Sequence, residues 1–221
     1  MATLSGLHAT TPQHLQLDAG VLLANVGVGP DATKELENLL KGNGLENKSE
    51  FEKVILKRTL GATKGGAVFT AVPEMRNLLD GVNGSRGNYK DGAVIDTWDI
   101  SLKTTVSEMT ASNIGHALAT ISTENFPKGP EPTTTHTKQT GTVGRVKTNN
   151  YTNNIVWIGS MNQQEKPMVI LIKNALNTNG MTFTASDKDS GSVELELKAH
   201  FTVANPEEVP FEIYIPKEGD V

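Results

Sequence analysis

The stretch Val193-Glu194-Leu195-Glu196-Leu197-Lys198-Ala199-His200-Phe201-Thr202-Val203 alternates apolar and polar side chains without a break. Successive side chains of a β-strand point to opposite faces, so this period of two predicts a strand with one apolar and one wet face. A second stretch repeats the pattern. Trp98, Ile100, Leu102, Thr104 and Val106 interleave with Asp99, Ser101, Lys103, Thr105 and Ser107. Residues 168–172 are apolar at every position, which predicts a strand buried on both faces. Trp98, Leu102, Leu195, Leu197 and Phe201 are the expected core.

Working outward from these runs, residues 17–23 read as a first strand. Asp31 can cap a short helix that carries Leu36, Leu39 and Leu40 on one face and stops at Gly42. Residues 43–60 read as a long loop with a small buried patch at Phe51, Val54, Ile55 and Leu56. Residues 66–76 read as a strand that Pro73 either limits or places near a sheet edge. Thr110 or Ser112 can cap a helix containing Ile114, Leu118 and Ile121. Residues 122–150 are polar and rich in Thr and Pro, and read as an extended loop or arm. Further strands are expected at residues 155–158, 181–184 and 211–215. The fold class expected is mainly β, a sandwich or barrel with a flanking helix.

Composition narrows the function. The chain has 221 residues, enough for one domain, and a formal charge of -5. That balance offers no basic footprint for gripping nucleic acid. There is no cysteine, which excludes disulfides, thiolate metal sites and Cys nucleophiles. The first residues lack a basic and an apolar region, so no secretory signal is expected. No apolar run is long enough to span a bilayer as a helix.

Motifs that carry chemistry are weak. Gly61, Lys64, Gly65 and Gly66 only faintly resemble a phosphate loop, without its Lys-Ser/Thr ending, and read better as a turn feeding a strand. Asp187, Asp189, Ser190 and Gly191 lack the distal glutamate of a calcium loop, because Lys198 stands there. None of the five histidines, His8, His14, His116, His136 and His200, has metal-ligand spacing with another. No G-x-S-x-G elbow occurs. No catalytic, cofactor-binding or metal-ligating residue is expected.

Several stretches together resemble a known family. They are residues 17–23, the glycine turn at 61–66, Asp96-Thr97-Trp98, residues 154–159 and 172–177, and the ending 209–215. This pattern is similar to the major tail tube proteins of long-tailed, siphovirus-like phages and prophages of Firmicutes. The resemblance covers roughly residues 16–216 and is unclear over 29–60 and 122–150. It implies a single tail-tube domain over residues 1–221, with an N-terminal arm at 1–16, a helical or loop insertion at 29–60 and a long polar loop at 122–150. It also implies a structural virion protein, made in the bacterial host cytoplasm. Six copies would form a ring, and rings would stack into a hollow tube through which DNA is ejected without specific binding. Other tail proteins (tape measure, tail terminator, distal tail protein) would be its partners, with no cofactor, no reaction and no membrane.

Within that expectation two polar faces compete to line the channel. The favoured one is Asp99, Ser101, Lys103, Thr105 and Ser107, whose small hydroxyls leave the channel wide. The other, Glu194, Glu196, Lys198 and His200, suits an outer surface or a subunit contact. Rival readings are the inner tube of a contractile tail, a tailocin or a secretion system. A β-sandwich carbohydrate-binding module is a further rival, disfavoured by an aromatic content of only 5%.

Overall fold

A computed structural model describes residues 15–28, 32–42, 48–84, 86–87, 89–119, 121–127, 135–162, 164–185, 187 and 190–217. The fold is mainly β, built on one large antiparallel sheet. Strand β1 is Val21–Ala24, β2 Thr63–Asn77, β3 Ala93–Val106, β6 Thr152–Gly159, β7 Met168–Asn177 and β9 Ser192–Lys198. Their order across the sheet is β1-β6-β7-β9-β3-β2. The short strand β8 (Phe183–Thr184) pairs with β9, and β10 (Phe211–Tyr214) pairs with β7. A separate hairpin joins β4 (Ile121–Phe126) to β5 (His136–Gly141). Three helices complete the described residues: α1 Ala32–Lys41, α2 Lys48–Arg58 and α3 Ala111–Leu118.

The sheet curls until its ends meet. The Leu60 N–H donates to the Leu22 carbonyl at 2.9 Å, and Leu23 bridges Thr59 just before β2 begins. The inner face holds the main core. Leu22, Ile100, Leu102, Val106, Ile155, Ile172, Leu195 and Leu197 are all buried there. Helix α3 packs against this core through Asn113 and Ala117. The Asn113 amide donates to the Leu60 carbonyl at 2.7 Å, which satisfies a polar group that burial would otherwise penalise. A second core lies on the outer face of β1, β6 and β7. Leu23, Val156, Ile158, Val169 and Leu171 meet Leu39 of α1 and Phe51 and Val54 of α2 there. Strand β7 is therefore buried on both faces, as its unbroken apolar run predicts.

Strand β7 also divides its second edge. Phe211–Tyr214 pairs with its first half, and β9 pairs at Leu176 and Asn177. Asn174 marks the change-over with a positive φ of 50°, tolerated by asparagine. Its amide donates to the His200 carbonyl and the Thr202 hydroxyl. Phe211 then reaches across the core, with ring centroids 5.7 Å from Phe69 and 5.6 Å from Trp98.

Several expectations need correction. The loop expected over 43–60 contains α2. Its Phe51 and Val54 are buried and Ile55 half-buried, whereas Leu56 is 79% exposed and belongs to no patch. The polar loop expected over 122–150 contains both strands of the β4–β5 hairpin. Ile121 belongs to β4 rather than α3, because Ala119 takes φ 56° and ends the helix. Thr110 is the cap of α3, its hydroxyl accepting from the Asn113 N–H at 3.1 Å. The buried side of α3 is Asn113 and Ala117, with Ile114 and Leu118 half-buried. The strand expected through Val203 stops at Lys198. The chain then turns at Thr202 and Asn205, leaving Val203 97% exposed. The N-terminal arm lies almost wholly outside the described residues, as does Asp31.

Candidate functional site: an uncovered sheet face and a protruding hairpin

The outer sheet face divides in two. Helices α1 and α2 cover it over β1, β6 and β7, and the remainder, on β9, β3 and β2, bears most of the exposed charged residues in the alternating runs. Directly opposed residues of antiparallel strands share a face. Ser101 is opposite Lys198, Lys103 opposite Glu196 and Thr105 opposite Glu194. From the other side Val72 faces Asp99, Thr70 faces Ser101, Val68 faces Lys103 and Lys64 faces Thr105. The two polar faces expected to compete for one role are thus a single face of one sheet. Asp99 and Lys103 stand exposed on it, Thr105 and Ser107 are half-buried, and Ser101 is buried at 7% exposure. Of the second set, Glu194 is exposed and Glu196 and Lys198 are half-buried. His200 lies beyond the strand, edge-on to Tyr151 at 5.2 Å.

Charges on this face are interleaved. Lys103 Nζ lies 3.1 Å from a Glu196 carboxylate oxygen, and Lys198 Nζ lies 3.4 Å from Asp99 Oδ1. The Asn179 amide also donates to Glu196. A shallow cavity of about 340 Å³ opens here among Lys64, Gly65, Lys103, Thr105, Asn179 and Glu196. Its floor includes the bulge that starts β2. Gly65 and Gly66 take φ of 79° and 77° and shift the register between Lys64 and Ala67. The glycines are there for backbone shape. The face mixes lysines with carboxylates, which is unlike a phosphate cradle.

Beyond the reach of β9, which pairs only with Ser101–Val106, the β2–β3 hairpin continues alone to Asn77 and Ala93. Val72 lies on the same side as Asp99, as does Val68 nearer the base, and past the register shift between Glu74 and Met75 the opposed pair Met75 and Ile95 lies on the other side; all four are at least half-exposed. A bidentate Arg76–Asp96 pair with contacts of 3.1 Å ties the far end together. Strand β2 ends the sheet order, so past its entry beside β1 its outer backbone edge has no partner strand among the described residues. Pro73 fits such an edge because it has no N–H to offer a ladder.

Ionisable groups elsewhere act as fasteners. Glu35 of α1 is buried at 5% exposure. It accepts from Lys57 at 3.0 Å, from Arg58 at 3.0 Å and from the Gly27 N–H at 3.0 Å. Burial alone would raise its pKa, but these donors together hold it below the ordinary 4.5. Lys173 pairs with Glu208 at 2.6 Å and Glu212 at 2.5 Å, fastening β10 and its preceding turn to β7. Tyr214 donates to Glu212, which pushes the phenol up to about 12. His116 is pushed below 6.5 by burial, and its Nδ1 lies 2.8 Å from the Thr152 hydroxyl. That hydroxyl is buried, with Thr152 at 6% exposure. Among the described residues no group of three or more His, Asp or Glu side chains could hold a metal ion, and no helix is long and apolar enough to cross a membrane. Searches against protein-family models and curated proteins find no match.

Proposed function

We propose that this chain is a structural subunit of a phage tail tube, assembling as hexameric rings that stack into a conduit for DNA. The observation that carries the reading is the long β2–β3 hairpin with its open edge, unscreened apolar side chains and attached charged face. An exposed strand edge is a template for another chain, and soluble proteins normally blunt it. Here the edge strand is 15 residues long. A neighbouring copy that pairs with it would remove the edge, and head-to-tail repetition of that contact would close a ring. The hairpins would then join as a barrel shared between subunits, with Met75 and Ile95, on the side away from the channel, covered at the contacts.

In this reading the β9–β3–β2 face turns to the channel, with Asp99 and Lys103 as its foremost charges. Six copies at -5 each make an acidic ring. The channel face itself interleaves lysines with carboxylates, so it offers phosphates no basic belt to grip and DNA slides rather than sticks. The reading assigns no reaction and no cofactor. Tape measure, terminator and distal tail proteins are the proposed partners at the tube's interior and ends, and the virion is the proposed location. Negative-stain electron microscopy of the purified protein at rising concentration tests it. Rings or tubes about one subunit deep per layer are expected, and a monodisperse monomer at every concentration would overturn the proposal.

A further inference from the structure

We infer that Asp99 and Glu196 are caging residues, whose carboxylates keep the lysines of the uncovered face from engaging the phosphates of duplex DNA. The inference rests on the tube reading for its biological setting, since it supposes that DNA passes this face. Its chemistry rests on the face alone.

Lysines project there from two adjacent strands, Lys103 from β3 and Lys198 from β9. Two such ammonium groups, repeated in every copy around a channel, would make a phosphate-binding belt if they stood alone. Neither does. Glu196 stands directly opposite Lys103 and holds it at 3.1 Å. Asp99 holds Lys198 at 3.4 Å across the same strand pair. Glu196 is itself oriented by the Asn179 amide, so its carboxylate is aimed rather than free to swing away. Lys64, a third lysine on this face, is also engaged. Glu194, exposed beside Thr105, adds one more negative charge.

A phosphate approaching either ammonium therefore meets a carboxylate at nearly the same distance. Counterion release, the main source of non-specific DNA affinity, requires a cation that a phosphate can neutralise. A lysine already neutralised by its neighbour releases little. The face thus keeps the hydration and polarity of a charged surface without the adhesion of a basic one.

The test uses the full chain and a short fluorescent duplex DNA, with anisotropy read from low to physiological salt. Wild-type protein is expected not to bind. Asp99→Asn/Glu196→Gln uncages both lysines and is expected to bind at low salt, with a log-log salt slope of up to about 2, since each phosphate contact contributes about 0.9. Glu37→Gln/Glu50→Gln is the matched control. It makes the same change in net charge and uncages Lys41 and Lys53 on α1 and α2, the helices that cover the other part of the outer sheet face. It is expected to stay unbound. If Glu196→Gln disturbs folding, Asp99→Asn alone frees Lys198 and is expected to gain about half that slope. No gain in either uncaged variant, or an equal gain in the control, overturns the inference. Electron microscopy of the wild type bears separately on the tube reading, because anisotropy of free subunits requires no tubes.

Discussion

Leu197 lies at 1% exposure between β3 and β7, in register with Leu102. Leu197→Ala should cost about 2–5 kcal/mol, the range for a buried leucine truncated in a packed core. Leu56→Ala on the outer side of α2 should stay within about 0.5 kcal/mol. Urea melts of the two variants check both. Glu35 gives a pH-dependent counterpart. Its folded pKa lies below 4.5, so its stabilisation is present above that value and fades as pH falls through the lowered one. Glu35→Gln should cost about 1–3 kcal/mol at neutral pH, because the largely buried Arg58 loses its charged acceptor. The gap between variant and wild type should shrink below pH 4.5. A gap that stays constant down to acid unfolding would contradict this role. Residue by residue, the sequence is a good guide wherever alternation coincides with real pairing. Leu102, Leu195 and Leu197 are buried as their spacing predicts, while Trp98 and Phe201 are only half-buried. Glu35 has no sequence signature, since its partners come from another helix and a turn.

Elements were legible in proportion to how much core they touch. The long strands are covered on at least one face and carry a period of two. The β4–β5 hairpin touches the body mainly at α3, where Gln139 donates to the Ala111 carbonyl at 2.7 Å. Its faces are largely exposed, so burial imposed no pattern on residues 121–126 or 136–141. In α2 the helical spacing of Phe51, Val54, Ile55 and Arg58 is present. The run Val54-Ile55-Leu56 masks it by imitating a strand. Replacing the β4–β5 hairpin with a short Gly/Ser linker should leave the unfolding transition nearly unchanged. The same variant should lose or weaken tube formation if the hairpin reaches a neighbouring copy. Tubes of normal length by electron microscopy would remove that role. Thr110→Ala at the cap of α3 should cost about 1 kcal/mol in thermal or urea unfolding.

For the whole molecule, what the sequence conceals is adjacency. The pairing of β3 with β9 joins residues nearly a hundred positions apart, and no strand pattern states it. That is why one charged face reads as two. The same scale holds the sharpest test of assembly. Met75→Lys places a charge on the exposed side of the edge strand that faces away from the channel. Stability should change by no more than about 0.5 kcal/mol, while self-association measured by sedimentation should fall sharply. Unaltered association would point to another surface. The sheet order has one more consequence, and it concerns time. Strand β1 emerges early from the ribosome, yet its partner is β6, and the Asn154 amide that caps this contact lies 128 residues beyond its acceptor, Val26. At ordinary translation speeds that interval is on the order of 10 s. The β2–β3 hairpin, by contrast, is local and can form well before β6 exists. The nascent chain therefore presents its open edge while the body that supports it is still missing. During synthesis the glycine bulge at 65–66, Pro73 and the Arg76–Asp96 pair are the features standing between that edge and a neighbouring nascent chain.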